Sequence, residues 1–142
     1  MTFLNLTIHA HAGWSDTQRS AAEAYAAALT RDPAAAKVAI VDFPFPVVDP
    51  DADDRQVDTL ADRLFAELTT AYAPERLVVH VMGEMTLTCA LVARLQGLGI
   101  PVVASTTERM VTRDGDETTR RFAFRRFRAY PPLYVTAEGE AA

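Results

Sequence analysis

RLVVHVMGEMTLT, residues 76–88, joins an almost entirely apolar run to the start of a helical pattern through a single glycine, Gly83. A run without polar alternation is typical of a strand covered on both faces, so residues 76–82 are predicted to lie at the centre of a sheet. Leucines then recur at helical spacing as far as Leu98. This strand, turn and helix predict an α/β fold.

The same alternation of strand and helix extends towards both ends of the chain. Strands are predicted over residues 3–9, 37–43 and 101–106, and helices over residues 15–31 and 51–72. Strands that alternate with helices imply a parallel sheet, because each crossover helix packs back onto the sheet. The sequence therefore predicts a doubly wound parallel sheet sandwiched by helices.

The pattern changes after Thr107, where two strand-like segments flank Asp114 and Gly115. Glycine tolerates a positive φ, so this dipeptide favours a tight antiparallel β-hairpin. Residues 1–130 are predicted to form a single domain that includes this hairpin. Residues 131–142 are predicted to form a tail.

The second arm of the hairpin contains three phenylalanines at irregular spacing. Phe122 and Phe124 share one face of a strand, whereas Phe127 is out of phase with them. Burial of all three therefore requires a β-bulge, which is expected near Arg125 and Arg126.

Composition and charge limit the classes of function. The chain has 142 residues, 49% of them hydrophobic, and no apolar run of the about 20 residues that span a bilayer. The start lacks the features of a signal peptide, so a cytoplasmic protein without a membrane partner is expected. One cysteine and three histidines offer no zinc spacing, and neither a metal nor a cofactor is expected. A net charge of -5 argues against a long nucleic acid as partner, although arginines concentrated over residues 109–128 allow a local anion site.

Ligands of open parallel sheets bind beside the carboxyl ends of the strands. Four segments are expected to share that rim: residues 9–15, 45–49, 83–88 and 105–109. Gly83 would let the backbone approach a ligand, and the N–H groups of the next helix would seat an anion. Glu84 either stabilises the start of that helix, or binds a ribose hydroxyl and acts as its general base. Both roles are compatible.

A cluster of hydroxyl groups with an arginine follows the strand predicted over residues 101–106. Ser105, Thr106, Thr107 and Arg109 suit phosphate and sugar oxygens, because short donors and a bidentate guanidinium bind such groups well. The alternative is a hydroxyl-rich strand exit in which Glu108 and Arg109 form a surface pair.

Aromatic and imidazole side chains are the remaining candidates. His9 and His11 are candidate proton donors or plain loop residues. Trp14 either stacks on a nucleobase or caps the core at the start of a helix. His80, inside the central strand, is predicted to be a core histidine with satisfied hydrogen bonds.

Four stretches together resemble a group of small CRISPR-associated proteins with a CARF-like (CRISPR-associated Rossmann fold) domain. They are FLNLTIHAHAGWSDTQ (3–18), DFPFPVVDPDAD (42–53), VVHVMGEMTLTCALVARLQGLGI (78–100) and VVASTTERMV (102–111). The resemblance covers about residues 2–130 and implies a Rossmann-like fold. It also implies a homodimer that binds cyclic oligoadenylate, the second messenger of type III CRISPR defence, across its twofold axis. Some compact members look like ring nucleases, which cut this messenger.

The resemblance and the chemistry of the rim together give the candidate site. GEMT matches the loop and helix start of the ligand pocket, and STTER matches the end of the next strand. The catalytic candidates are Glu84, Arg109 and His11, and the ligand-binding candidates are His9, Trp14, Ser15, Gly83, Met85, Thr86, Ser105, Thr106 and Thr107.

The function expected from this set is cleavage of cyclic oligoadenylate by metal-independent attack of a ribose 2′-hydroxyl on the adjacent phosphate. Arg109 and helix N–H groups would stabilise the phosphate charge, while Glu84 or a histidine moves the proton. A non-catalytic sensor or sponge would use the same rim. A third hypothesis is a nucleoside N-glycosidase or deoxyribosyltransferase-like enzyme with Glu84 as nucleophile.

Overall fold

Five strands form one mixed sheet whose centre is the apolar run of residues 77–81. The computed structural model describes residues 1–134. The strands are β1 (Thr2–Leu6), β2 (Ala39–Asp42), β3 (Leu77–Val81), β4 (Val102–Asp114) and β5 (Glu117–Ala129), and the helices are α1 (Asp16–Ala28), α2 (Asp54–Ala71) and α3 (Met85–Gly97). The strand order is β2-β1-β3-β4-β5, in which the first four are parallel and β5 is antiparallel to β4. An α/β fold with parallel strands and a C-terminal antiparallel pair is confirmed.

Helices cover both faces of the sheet. On one face, α2 and α3 bury Leu68 and Leu91 in a core that includes Val79. On the other face, α1 buries Ala26 in a second core that includes Phe3. All five residues of β3 are buried, as its unbroken apolar sequence predicts.

The helices begin at capping side chains. The Ser15 hydroxyl accepts a hydrogen bond from the Gln18 N–H at 3.1 Å. The Asp53 carboxylate accepts from the Gln56 N–H at 2.8 Å, and the Gln56 side chain accepts from the Asp53 N–H at 2.8 Å. These bonds satisfy N–H groups that the first turn leaves free. The helix starts predicted near residues 15 and 51 are confirmed within a few residues.

One strand, β4, replaces the two separate elements predicted after residue 101. It runs without interruption through residues 105–109, which were expected to form a loop at the rim. That prediction is wrong because no glycine or proline interrupts residues 102–114, and β5 pairs with β4 along its whole length. Side chains of residues 105–109 therefore alternate between the two faces of the sheet.

The turn and the bulge of the hairpin lie where the sequence predicts them. Gly115 has a φ of +60° in the two-residue turn. Thr106 pairs with Arg126 and Thr107 with Phe124, which leaves Arg125 as the extra residue of a β-bulge.

The bulge does not bury all three phenylalanines. Phe127 is buried and Phe124 half-buried, but Phe122 is 71% exposed. Phe122 belongs to the part of the β4–β5 ribbon, residues 107–122, in which every residue is exposed. The predicted tail, residues 131–142, is described only as far as Tyr134.

Candidate functional site

A pocket of about 810 Å³ lies at the carboxyl ends of β1 and β3 and beside Ser105 and Thr107 of β4. The strand order places β2 and β3 on opposite sides of β1, so the chain reverses direction across the sheet beside this pocket. Such a reversal is the usual ligand site of open α/β sheets. The lining residues are Thr7, Ile8, His9, Ala10, Gly13, Trp14, Gln18, His80, Met82, Gly83, Ser105 and Thr107.

Three of the four segments expected at the rim contribute to this pocket. The fourth, residues 45–49, is absent from its lining. Phe45 is buried instead, and its ring packs so closely against Gly83 that a Cβ at position 83 would overlap it. Glycine at this position is required for close packing of the two loops.

Four polar side chains form a row across the sheet beside the pocket, in the order Asp42, Asn5, His80, Ser105. Asn5 is in register with Asp42 on β2 and with His80 on β3. His80 is in register with Val103, and Ser105 follows two residues later on the same face of β4. Neighbouring strands therefore present these groups side by side.

Hydrogen bonds connect this row from end to end. The Asn5 amide donates to Asp42 Oδ1 at 2.8 Å and to the His9 carbonyl at 2.7 Å. Two acceptors fix the amide nitrogen there, so Asn5 Oδ1 faces His80 Nδ1, at 3.1 Å. His80 Nδ1 must then carry the proton, and Nε2 accepts from the Ser105 hydroxyl at 3.2 Å. The Ser105 hydroxyl also lies 3.1 Å from the weaker acceptor Met82 Sδ.

His80 is 3% exposed, and this burial lowers its pKa from 6.5 to about 4. Desolvation disfavours the imidazolium form, so the ring is neutral at pH 7. The prediction of a core histidine with satisfied hydrogen bonds is confirmed. His80 also reaches the pocket lining, which was not predicted.

His11 pairs with the other end of the row. It lies in a 3₁₀ turn, residues 11–13, where its Nδ1 is 2.9 Å from Asp42 Oδ2 and its N–H donates to Asp42 Oδ1 at 2.9 Å. Burial raises the pKa of Asp42, but hydrogen bonds from Asn5 and His11 outweigh it and lower that pKa. Because the Asp42 carboxylate accepts a hydrogen bond from Nδ1–H, the neutral form of His11 would have its lone pair on Nε2. His11 does not line the pocket itself.

Glu84 caps the N-terminus of α3. Its carboxylate accepts from the Leu87 N–H at 2.8 Å, the Thr86 hydroxyl at 2.7 Å and the Thr86 N–H at 3.1 Å. The Leu87 N–H, followed by the Thr86 donors, lowers the pKa of Glu84. The capping interpretation is confirmed. The helix N–H groups expected to seat a ligand anion are thus occupied by the protein's own carboxylate.

Several other candidates lie away from the pocket lining. Met85 begins α3 and is 79% exposed. Ser15 caps α1 and lines an adjoining cavity of about 400 Å³. Thr106 faces the opposite side of β4 from Ser105, and its hydroxyl bonds to the backbone of Arg126.

Arg109 lies on β4, two residues beyond the lining residue Thr107. It occupies the same strand face as the lining residues Ser105 and Thr107 and is paired in register with Phe122. Its side chain is exposed, and Glu108 pairs with Arg125 at 3.3 Å instead. The alternative interpretation, a surface pair between Glu108 and Arg109, is therefore wrong, because Glu108 forms a cross-strand pair with Arg125.

Trp14 and His9 both line the pocket. Trp14 is 9% exposed and packs edge-on against Phe3 and His80, with ring centroids 6.0 and 5.8 Å apart. It therefore caps the core, while one surface of its ring reaches the pocket. His9 is exposed and also lines the pocket.

Neither a clustered metal site nor a membrane span is found in residues 1–134. No group of three or more histidine, cysteine, aspartate or glutamate side chains is arranged to hold a metal ion in this part of the chain. Within the same residues, no helix is both long and apolar enough to cross a bilayer.

A comparison with protein-family models gives a match over residues 1–128 to the "Uncharacterized protein MJ1673 family". The chain belongs to this family. The matched region of this MJ1673-family protein contains the whole pocket and the row from Asp42 to Ser105. No curated protein and no solved structure matches the chain.

His80, Gln18 and Met82 line the pocket without having been predicted to do so. Asn5 and Asp42, which complete the row, were also missed by sequence reasoning in this MJ1673-family chain. Each is a polar residue next to apolar residues of its strand. This pattern is the feature of the sequence that could have identified them. A buried amide requires hydrogen-bond partners, and those partners lie on neighbouring strands. Only the strand order brings these side chains together.

Proposed function

We propose that the protein binds cyclic oligoadenylate at the pocket and cleaves it by attack of a ribose 2′-hydroxyl on the adjacent phosphate. The family resemblance of the sequence suggests the ligand. The observation that carries the proposal is the position of Arg109, on the strand face that lines the pocket and two residues beyond the lining residue Thr107. An uncharged pocket next to an exposed guanidinium suits a nucleotide, whose base is uncharged and whose phosphate is an anion.

The pocket interior supports binding of a nucleoside. Its volume of about 810 Å³ falls within the range of small-molecule sites, roughly 300–1,000 Å³. None of its lining residues is an arginine, lysine, aspartate or glutamate. Trp14 and Met82 provide apolar surface, while Gln18 and Thr107 provide polar groups for the base edge and sugar.

Arg109 is the proposed phosphate ligand. Two residues of a strand span about 7 Å, so its Cα is within side-chain reach of a group held beside Thr107. A guanidinium binds two phosphate oxygens at once and stabilises charge that develops on them.

Proton transfer is assigned to His11 rather than Glu84. His11 Nε2 would take the proton of the 2′-hydroxyl while the hydroxyl oxygen attacks phosphorus. The bond from phosphorus to the 5′-oxygen would break, and that oxygen would take a proton from water. The products are a 2′,3′-cyclic phosphate and a free 5′-hydroxyl. Glu84 is a weak candidate because its carboxylate already accepts three hydrogen bonds and its pKa is lowered.

A homodimer forms part of the proposal. Apolar side chains with exposures of 71% for Ile8, 79% for Met85 and 95% for Val47 project from segments that follow three neighbouring strands. Exposed apolar side chains grouped at one edge are typical of contact surfaces. A second copy packed there would present an equivalent pocket to each half of a symmetric cyclic ligand.

The substitution Arg109→Ala tests this assignment, with Arg113→Ala as the matched control. Arg113 is exposed on the same face of β4 but lies four residues further from the pocket. Arg109→Ala is expected to reduce cleavage of cyclic oligoadenylate more than about a hundredfold, by analogy with the loss of an oxyanion donor. Arg113→Ala should cleave at the wild-type rate. Equal rates for the two variants would remove Arg109 from the mechanism.

A non-catalytic sensor or sponge is the second candidate, because His11 lies outside the pocket lining. Stoichiometric binding of an intact ring by the wild-type protein would identify it. The glycosidase hypothesis requires a carboxylate free to act as nucleophile, whereas Glu84 is engaged as the cap of α3.

A further inference from the structure

We propose that Ser105 is a nucleophile activated by His80, and that the pocket hydrolyses small uncharged carboxylic esters. This activity is separate from the proposed cleavage of cyclic oligoadenylate and does not depend on it. Ser105 would attack the ester, His80 would act as general base, and Asn5 would be a positioning residue.

The geometry is that of a nucleophile, a base and an orienting group in sequence. Ser105 Oγ lies 3.2 Å from His80 Nε2, and His80 Nδ1 lies 3.1 Å from Asn5 Oδ1. A hydroxyl becomes nucleophilic when an adjacent base accepts its proton and a third group holds that base in the required tautomer.

The tautomer follows from the partners of Asn5. Its amide nitrogen donates to Asp42 and to the His9 carbonyl, so its oxygen must face the imidazole. The imidazole then donates from Nδ1, and Nε2 keeps its lone pair towards the Ser105 hydroxyl. Asp42 thus fixes the base through Asn5 without contacting it.

Burial of these polar groups costs free energy, which their hydrogen bonds must offset. Asn5 is 1% exposed and His80 3% exposed, and the surrounding core contains Phe3, Trp14 and Phe127. Polar groups in such a core must offset their desolvation by hydrogen bonds, which an apolar pair of similar volume would not need. A role for the accessible end of the row, Ser105 in the pocket lining, accounts for their presence.

The pocket lining selects the class of substrate. It contains no aspartate, glutamate, lysine or arginine, and its apolar wall includes Ile8, Trp14 and Met82. A short acyl group attached to an uncharged alcohol would find apolar contacts without leaving a charge unpaired. An anionic acyl compound would find no cation among the lining residues.

Ester hydrolysis would take place in two stages, acylation and then deacylation of Ser105. The Ser105 hydroxyl proton moves to His80 Nε2 as the oxygen bonds to the acyl carbon, and the carbon–oxygen bond to the alcohol breaks as the alcohol takes the proton from Nε2. Water then attacks the acyl carbon and gives a proton to His80 Nε2; the bond between the acyl carbon and Ser105 Oγ breaks, and Oγ takes that proton from Nε2 as the carboxylic acid leaves. No oxidant, metal or cofactor takes part.

The first experiment treats the intact protein with a fluorophosphonate and locates the label by peptide mass spectrometry. Serines occur only at positions 15, 20 and 105, so the two others act as internal controls. Label is expected on Ser105 alone. Label on Ser15 or Ser20, or on no serine, would overturn the proposal.

The second experiment follows hydrolysis of p-nitrophenyl butyrate, in a buffer without nucleotide, by three proteins. Ser105→Ala is expected to lower kcat/KM at least a hundredfold, and Ser20→Ala, on the exposed surface of α1, to leave it unchanged. Thermal unfolding of each variant establishes that it is folded. Equal hydrolysis by wild type and a folded Ser105→Ala variant would refute a nucleophilic role.

The role of Asn5 has a spectroscopic test that a purely structural residue would not pass. Imidazole ¹⁵N NMR of the wild-type protein should show His80 protonated at Nδ1 and unprotonated at Nε2. In Asn5→Leu, signals of the Nε2-protonated ring should appear, and labelling of Ser105 should fall. An Nε2-protonated ring in the wild-type protein would contradict the proposed base.

Discussion

Acid should destabilise the protein through His80 well before most carboxylates are protonated. In the unfolded chain its pKa is the ordinary 6.5, whereas burial lowers it to about 4 in the folded protein. Between these values the unfolded state binds a proton that the folded state does not, so the free energy of unfolding falls as pH falls. For these two pKa values, linkage gives a loss of about 2 kcal/mol at pH 5 and about 3 kcal/mol at pH 4 relative to pH 7. The contribution is flat above about pH 7.

Urea unfolding at pH 7, 6, 5 and 4 measures this loss. His80→Gln, which has no titratable ring, is the comparison protein. Asp42 and Glu84 also have lowered pKa values, but both proteins contain them, so their effects cancel in the difference. Between pH 7 and pH 5, the unfolding free energy of the wild-type protein should fall by about 2 kcal/mol relative to that of His80→Gln. Parallel curves for wild type and variant would refute the reasoning that His80 is buried in its neutral form.

Two further substitutions test the packing and capping around the turn at residues 83–84. Gly83→Ala should lower the free energy of unfolding by about 1 to 3 kcal/mol, because its Cβ would overlap the buried Phe45 ring. Gly13→Ala is the control and should change this free energy little, because no atom lies near its Cβ. Urea unfolding of both variants measures the two effects. Glu84→Ala should lower the midpoint of thermal unfolding, because it removes the N-cap of α3. Glu84→Ser should recover part of this loss, because serine also caps helices. Equal midpoints for wild type and Glu84→Ala would contradict the capping role.

Local sequence patterns predict most of the sheet and its helices. The apolar run of β3 and the capping residues of α1 and α2 act within one element, so they can be recognised without knowledge of the partner. The hairpin turn at Gly115 and the bulge at Arg125 also follow from local spacing.

The continuity of β4 could not be predicted from the same kind of pattern. Residues 105–109 are rich in hydroxyl and charged groups, which resemble a loop when considered alone. They are extended because β5 supplies hydrogen bonds along their whole length. A long-range pairing therefore determines a local structure, as is common for strands.

The sequence predicts where the pocket lies, but only some of the contacts that its side chains make. Strand ends at a topological reversal locate the pocket, and Ser105 and Gly83 line it as expected. The Glu84 carboxylate accepts hydrogen bonds from the first N–H groups of α3, which were expected to bind a ligand. The connection from Asp42 through Asn5 depends on which strands are neighbours and in which register, and neither is encoded within a single strand.

The most direct test of the proposed function is incubation of the purified protein with cyclic oligoadenylates of different ring sizes, with and without EDTA, followed by chromatography and mass spectrometry. Linear products that end in a 2′,3′-cyclic phosphate, formed equally in EDTA, are the predicted result. Intact rings in every incubation would contradict cleavage, and intact rings that also fail to co-elute with the protein would contradict binding.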